Sequence, residues 1–488
     1  MTESVLQAEL TRATGIGSTR ALYFALAAPQ PDSAALEAAQ SYLRRAVDDS
    51  AGVACALPDD PAQLSAWITT HTKDVGRQYE QYLAERKAGG GRQYFTTRAH
   101  ALYFLQAVAP TKTVDGAWLY GLLRYWNDSR YQSLIRIYLE ELGVGLADKN
   151  HVTLYRRLLA ANGCDDWGHL DDVFFVQGTI QLALGRHAEH FLPEIIGFNL
   201  GYEQLPLHLL ITAYELNELG IDPYYFTLHV TVDNAATGHA MTALHALQEA
   251  WPVLGDGARF YERVRNGFRL GNLGIDTTEV IGNFDLGAEM LAILRRKSTV
   301  GRQVHSDYCK VAGRSVNDWL ADAADVPAFV AALEQTGWIQ RHQDPQQSRF
   351  WKLIQGERAE MFGVFSAYEQ QVIHDWIAGD SALAPLAPRQ LSYKARRRLL
   401  HSLTPAPAEC LQPPAVRGAV EVAAPGASDT AEDGLNDVND DTRQLDQLLQ
   451  QQCSHEARMA LLTGLMAPAR HHTAVGLEAT RRFVRMLG

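Results

Sequence analysis

The chain has 488 residues, 47% hydrophobic and 20% charged, which allows two to four domains with a sizeable core and excludes a disordered or fibrous protein. Its 44 basic against 56 acidic residues, net −12, argue against a surface built to neutralise nucleic-acid phosphates or an anionic membrane. Five scattered cysteines (Cys55, Cys164, Cys309, Cys410 and Cys453) form no C-x-x-C, a pattern of reduced thiols rather than of a disulfide framework or a zinc site.

The opening Met1-Thr2-Glu3-Ser4 lacks a basic n-region, and no run approaches the ~18–20 apolar residues that span a bilayer. A cytoplasmic protein is the expectation. Helical periodicity then dominates, with apolar residues at three- and four-residue spacing over 34–47, 61–86, 96–108, 117–142, 152–161, 170–185, 189–219, 224–250, 256–269 and 287–297. Breakers separate or interrupt these runs: Pro110, Gly143, Gly145, Gly163, Pro193, Pro206, Gly220 and Pro223. One β-hairpin is expected at 338–354, two short runs around the turn Gln343-Asp-Pro-Gln-Gln. The helix before it carries no basic recognition face, so a DNA-reading winged helix is rejected. An acidic Pro/Ala/Gly-rich stretch follows and reads as a linker. Its Asp437-Val-Asn-Asp-Asp441 is no calcium loop, since Thr442 stands where a glycine is required. One or two amphipathic helices close the chain, and His471-His472 reads as a surface doublet. The fold class is all-α. The division is a helical extension 1–95, a core 96–300, a helical region with the hairpin 301–400, a linker 401–443 and a C-terminal helix 444–488.

Three clusters place acids and imidazoles on core helices. The first runs from Glu141, in Tyr138-Leu-Glu-Glu-Leu-Gly-Val-Gly, to His151; the second holds Glu203; the third holds His229, Asp233 and His239. His229 and Asp233 are four apart and share one helix face. His239 falls roughly 80° off that face on an ideal helix, so it joins only through a distortion near Gly238. Gly143 and Gly145 can unwind the backbone between Glu141 and His151. Carboxylates and imidazoles projecting into a helical bundle are the ligands of di-iron and di-manganese centres, although no Glu-x-x-His pair occurs here. A buried hydrogen-bonded pair without metal is the plainer account of any one cluster alone.

The motifs E-E-x-G-x-G…N-H, a Glu on the next core helix, and Y-F-x-L-H-x-x-x-D…H resemble the heme-oxygenase-like diiron oxidases and oxygenases, also described as iron-containing redox enzymes. The resemblance covers roughly 96–379 and implies a heme-oxygenase-like helical bundle holding two Fe(II) ions, with O₂ as co-substrate. Carried over by motif, the ligands are Glu141, His151, Glu203, His229, Asp233 and His239. Two features depart from the family pattern. Ala236 stands where the family often has its third-helix His, with His239 three residues later, and Glu194, Glu215 and Glu218 compete with Glu203. Glu215 and Glu218 read as a solvated face. Asp115 reads first as an N-cap for a helix starting at Gly116, and second as an extra ligand of the kind some N-oxygenating members carry. The implied function is oxygenation in specialised metabolism of a small amine or amino-acid-derived substrate, N-oxygenation first, through a peroxide held between the irons. Desaturation or C–C cleavage at the same site, a heme-binding or cofactor-independent oxidase, and a non-enzymatic scaffold are the alternatives. An external electron donor and a homodimer are further expectations; nucleic acid and membrane are not.

Overall fold

Short polar residues cap the starts of many helices, and prolines stand in the first turn of several. The computed structural model describes residues 17–232, 238–356, 358–380 and 431–487. The N-terminal part forms α1 (Thr19–Leu26), α2 (Ser33–Ser50) and α3 (Leu64–Lys87). Next come α4 (Arg98–Ala107), the single turn α5 (Ala109–Lys112), 3-10 segments at Ala117–Tyr125 and Ser129–Tyr131, and α6 (Gln132–Glu141). The central part continues with α7 (His151–Asn162), α8 (Val176–Arg186), α9 (Leu192–Tyr202), α10 (Leu207–Glu218) and α11 (Tyr224–Val232). It ends with α12 (His239–Glu249) and α13 (Gly257–Leu270). Beyond it lie α14 (Thr277–Gly282), α15 (Leu286–Gly301), the strands β1 (Lys310–Val311) and β2 (Arg314–Ser315), α16 (Val316–Leu320), α17 (Val326–Gln335), α18 (Arg349–Ile354) and α19 (Ala367–Ala378). The last described segment holds α20 (Ala431–Gln451), α21 (His455–Leu465) and α22 (Ala474–Leu487). Ser18, Asp32, Thr97, Asn150 and Asp256 each accept a first-turn backbone N–H at a helix start, satisfying donors that have no partner within the helix.

The all-α expectation holds, with corrections. The hairpin at 338–354 is not formed. Asp344 caps a 3-10 turn at Pro345–Gln347, and Phe350, Trp351 and Ile354 are buried on α18, an i, i+1, i+4 spacing that suits a helix rather than a strand. The two limbs still touch: the Phe350 N–H donates to the Trp338 carbonyl, and the Gln340 N–H to Ser348 Oγ. The antiparallel pair among the described residues is instead β1–β2, Lys310 opposite Ser315 and Val311 opposite Arg314. Its two-residue turn, Ala312-Gly313, has positive φ at both positions, which matches the twist of a tight hairpin. The expected helix 117–142 is two 3-10 segments followed by α6, 189–219 is split at Pro206, and 224–250 is two helices, α11 and α12.

The largest apolar cluster joins Leu22, Leu43 and Ile68 near the N-terminus, Trp118, Tyr138 and Phe198 in the centre, and Leu445, Met459 and Phe483 from the C-terminal helices. A second gathers Phe104, Tyr155, Tyr225, Ile293, Trp351 and Ile377. Helices α6, α9 and α12 contribute to the first cluster, α7 and α11 to the second. Glu141, His151, Glu203, His229 and His239 meet on this seam.

Candidate metal centre

Two donor groups share one residue. Asp115, Glu141, His151 and His229 form the first, and Glu141, Glu203 and His239 the second; within each, the donor atoms lie within 4.8 Å of one another. In the first group, His151 Nδ1 lies 2.5 Å from Glu141 Oε2 and 4.0 Å from Asp115 Oδ2, while His229 Nε2 lies 3.2 Å from Asp115 Oδ2. In the second, His239 Nδ1 lies 2.9 Å from Glu203 Oε2 and 3.5 Å from Glu141 Oε1. The two oxygens of Glu141 thus face different groups.

Local backbone chemistry makes this convergence. Helix α6 ends at Glu141, and the chain turns through Gly143–Gly145 with Val144 also at positive φ. Gly143 (φ +61°) packs so closely that a Cβ there would meet the Lys149 carbonyl carbon at 2.4 Å; only glycine suits both demands. Asn150 then caps α7, donates to the Leu142 carbonyl at 3.2 Å and bonds His471 Nδ1 at 3.1 Å. One amide side chain thereby ties the helix end bearing Glu141 to the helix start bearing His151. On the opposite side, Gly116 (φ +78°) passes over Glu141, where a Cβ would lie 3.1 Å from the Glu141 Cβ. Glu203 caps the C-terminus of α9, and His239 is the first residue of α12, with extended Gly238 before it. The angular arithmetic of one continuous helix therefore does not apply to His239.

Each sequence candidate can now be placed. Glu141, His151, Glu203, His229 and His239 are brought together and buried; Asp233 lies outside the described residues, as does Ala236. Asp115 is no N-cap: Gly116 precedes the 3-10 segment, which has no side-chain cap, and the Asp115 carboxylate is 4% exposed inside the first group. Glu215 is not on a solvated face. It is fully buried, accepting from Tyr82 Oη and the N–H groups of Gln93, Tyr94 and Phe95. Glu194 pairs with Arg263 and Glu218 with Arg86. His471 is buried, not at the surface. Glu140 went unread as a site residue, yet it lies 2.8 Å from His239 Nε2. So did Tyr225, which donates to Asp115 Oδ2 at 2.6 Å.

The electrostatics separate the members. Burial pushes the Asp115 carboxyl up, but the charge of Lys112 and the hydrogen bond and charge of His229 hold it below the usual carboxylate range. Burial, then the Asp115 charge and hydrogen bond, raise the Tyr225 phenol well above its ordinary value, so it remains a proton donor. The donor chemistry fits divalent iron. Asp115, Glu141 and Glu203 are each at most 4% exposed and face imidazoles, and buried acids gathered this way need cations to offset their desolvation and mutual repulsion. A cavity of about 650 Å³ lies elsewhere, on the far face of α7 by Thr153, Arg156 and Trp167, and none of its lining residues belongs to either group.

Residues 102–271 match the family described as iron-containing redox enzymes, so the resemblance in the motifs holds over that segment. Both donor groups lie within it; the region of the expected hairpin and α19 lies beyond it. No curated protein and no solved structure gives a significant match. Among the described residues, no helix is long and apolar enough to cross a membrane.

Proposed function

We propose that the chain is a non-heme diiron oxygenase that takes O₂ as co-substrate and acts on a small amine or amino-acid-derived substrate, with N-oxygenation as its reaction. The observation that carries this reading is the division of Glu141, one oxygen facing the Asp115/His151/His229 group and the other the Glu203/His239 group. A carboxylate so placed suits a bridge between two ions. The family match over 102–271 supports iron and redox chemistry, and the inclusion of Asp115 supplies the additional carboxylate that favours N-oxygenation over desaturation or C–C cleavage. Asp233, four residues beyond His229 in sequence, is kept as a ligand by resemblance.

Two bound Fe(II) ions would supply the electrons that activate O₂. The chain's own residues fix the site around them. Tyr225 does so twice: its carbonyl accepts from His229 Nδ1 at 2.9 Å, turning Nε2 to the centre, and its phenol holds a proton on Asp115 Oδ2 at 2.6 Å. That hydrogen bond leaves Asp115 ionised but orients it. Near-complete burial of Glu141, Glu203, His151 and His239 excludes bulk water from the donor atoms.

The test is anaerobic loading with Fe(II), followed by O₂ in the presence of a panel of amines and amino acids. About two irons per chain and a product one oxygen heavier are expected. Trace iron after careful loading, or a heme Soret band, would overturn the diiron reading. Two irons with a desaturated or cleaved product would overturn N-oxygenation alone.

A further inference from the structure

An imidazole can coordinate an ion through one nitrogen only, and the partner of the other nitrogen decides which. The two groups settle this choice differently. In the first, His229 Nδ1 donates to a backbone carbonyl, that of Tyr225 at 2.9 Å. In the second, both nitrogens of His239 meet carboxylates: Nδ1 faces Glu203 at 2.9 Å and Glu141 at 3.5 Å, and Nε2 faces Glu140 at 2.8 Å. Nδ1 is the nitrogen among the shared donor atoms. Glu140 stands outside both donor groups, with a side chain 35% exposed and held from its far side by Arg136 Nε at 2.9 Å.

Adjacent residues on a helix point about 100° apart. The doublet Glu140-Glu141 at the end of α6 therefore sends one carboxylate to the shared centre and the other around the rim to the outer nitrogen of His239. Resting on the diiron reading, we infer that Glu140 is the positioning residue of the second ion site: it accepts the Nε2–H of His239, fixes that tautomer, and leaves the Nδ1 lone pair for iron. Outer partners of this kind orient a ligand and raise its basicity, and their loss typically costs about 10–100-fold in metal affinity. Arg136 Nε holds Glu140 Oε1 at 2.9 Å, which leaves Oε2 for the ring.

The test is an anaerobic Fe(II) titration, repeated with Co(II) and its visible absorption, on the full chain and on Glu140→Ala and Glu140→Gln. Glu140→Ala should weaken one of the two sites by about 10–100-fold and leave the other unchanged. Glu140→Gln keeps an oxygen acceptor for Nε2–H and should stay within about threefold of wild type, a rescue that a purely structural role for the charge would not give. Thermal melting of the metal-free variants checks folding, and Glu140→Gln carries the comparison should the alanine variant be unstable. Two wild-type sites with Glu140→Ala unchanged at both would overturn this inference alone, as would Glu140→Gln falling as far as Glu140→Ala. A wild-type chain that takes up no second ion would overturn the diiron reading and this inference with it.

Discussion

The two halves of the centre are built to different standards. The Asp115/His151/His229 half is enclosed: Tyr225 bonds two of its three members, Asn150 splints the helix ends at Glu141 and His151, and His471 of the C-terminal segment backs Asn150. The Glu203/His239 half has one imidazole at a helix start, one carboxylate at a helix end, and an outer partner, Glu140, that is a third exposed. Backbone carbonyls and caps hold the first half; a pair of side chains at the rim holds the second. The first half should therefore be the more rigid and the tighter, and the second the one where affinity is tuned and lost first.

The largest effect should come from the residue common to both halves. Glu141→Ala removes the shared donor, so Fe(II) stoichiometry should fall from about two to near zero; retention of either ion at wild-type affinity would break the bridging role. Removing one imidazole from each half should then expose the asymmetry. His229→Ala leaves Asp115, Glu141 and His151 in place, whereas His239→Ala leaves only Glu141 and Glu203 among the described donors. Parallel titrations should show one site lost in His239→Ala and one site weakened but detectable in His229→Ala. Equal losses would remove the distinction.

A smaller effect, on stability rather than metal, is expected at the C-terminal support. Tyr138 Oη donates to the Met466 carbonyl, Arg481 to that of Gly145, and His471 pairs with Asn150. A truncation before Met466 removes all three contacts and should lower the melting temperature of the metal-free chain more than any single substitution there, although this segment lies outside the family match. His471→Ala, which removes one of the partners of the buried Asn150 amide, should lower unfolding free energy by about 1 kcal/mol. The pH dependence has a definite sign. Burial, with His472 and Arg156 adding, lowers the His471 imidazole well below its ordinary value, so the unfolded chain binds the proton first. His471 therefore adds stability above about pH 6.5 that is lost as pH falls below it. The melting temperature of wild type should decline from pH 7 to pH 5, and that of His471→Ala less steeply; parallel slopes would contradict the assignment. Least of all should follow from Arg136→Ala. That side chain is 71% exposed and an exposed pair is worth about 0.2–1 kcal/mol, so second-site affinity should change by less than about fivefold in a titration.

Much of this was legible in the sequence where local rules decide. Helical periodicity located most helices, Gly143 and Gly145 announced the turn between Glu141 and His151, and the motif order gathered five donors that the fold does bring together. What escaped depends on contacts distant in the chain. Asp115 before Gly-Ala-Trp has the look of a cap, and only Tyr225 and His229, more than a hundred residues later, reveal it as part of the centre. Glu140 was hidden by its neighbour, since a doublet on an amphipathic helix ordinarily sends one acid to solvent. Glu215 sits in a polar pentapeptide, yet three backbone N–H groups of the segment before α4 bury it. The stretch 338–354 misled because its turn residues are those of a hairpin, while its apolar spacing after Ser348 belongs to a helix.

The most direct test of the bridging centre is anomalous diffraction at the iron edge from crystals of the full chain loaded anaerobically with Fe(II). Two peaks are predicted, one among Asp115, His151 and His229, the other against Glu203 and His239 Nδ1, with Glu141 between them. A single peak, or two peaks that do not share Glu141, would contradict the account.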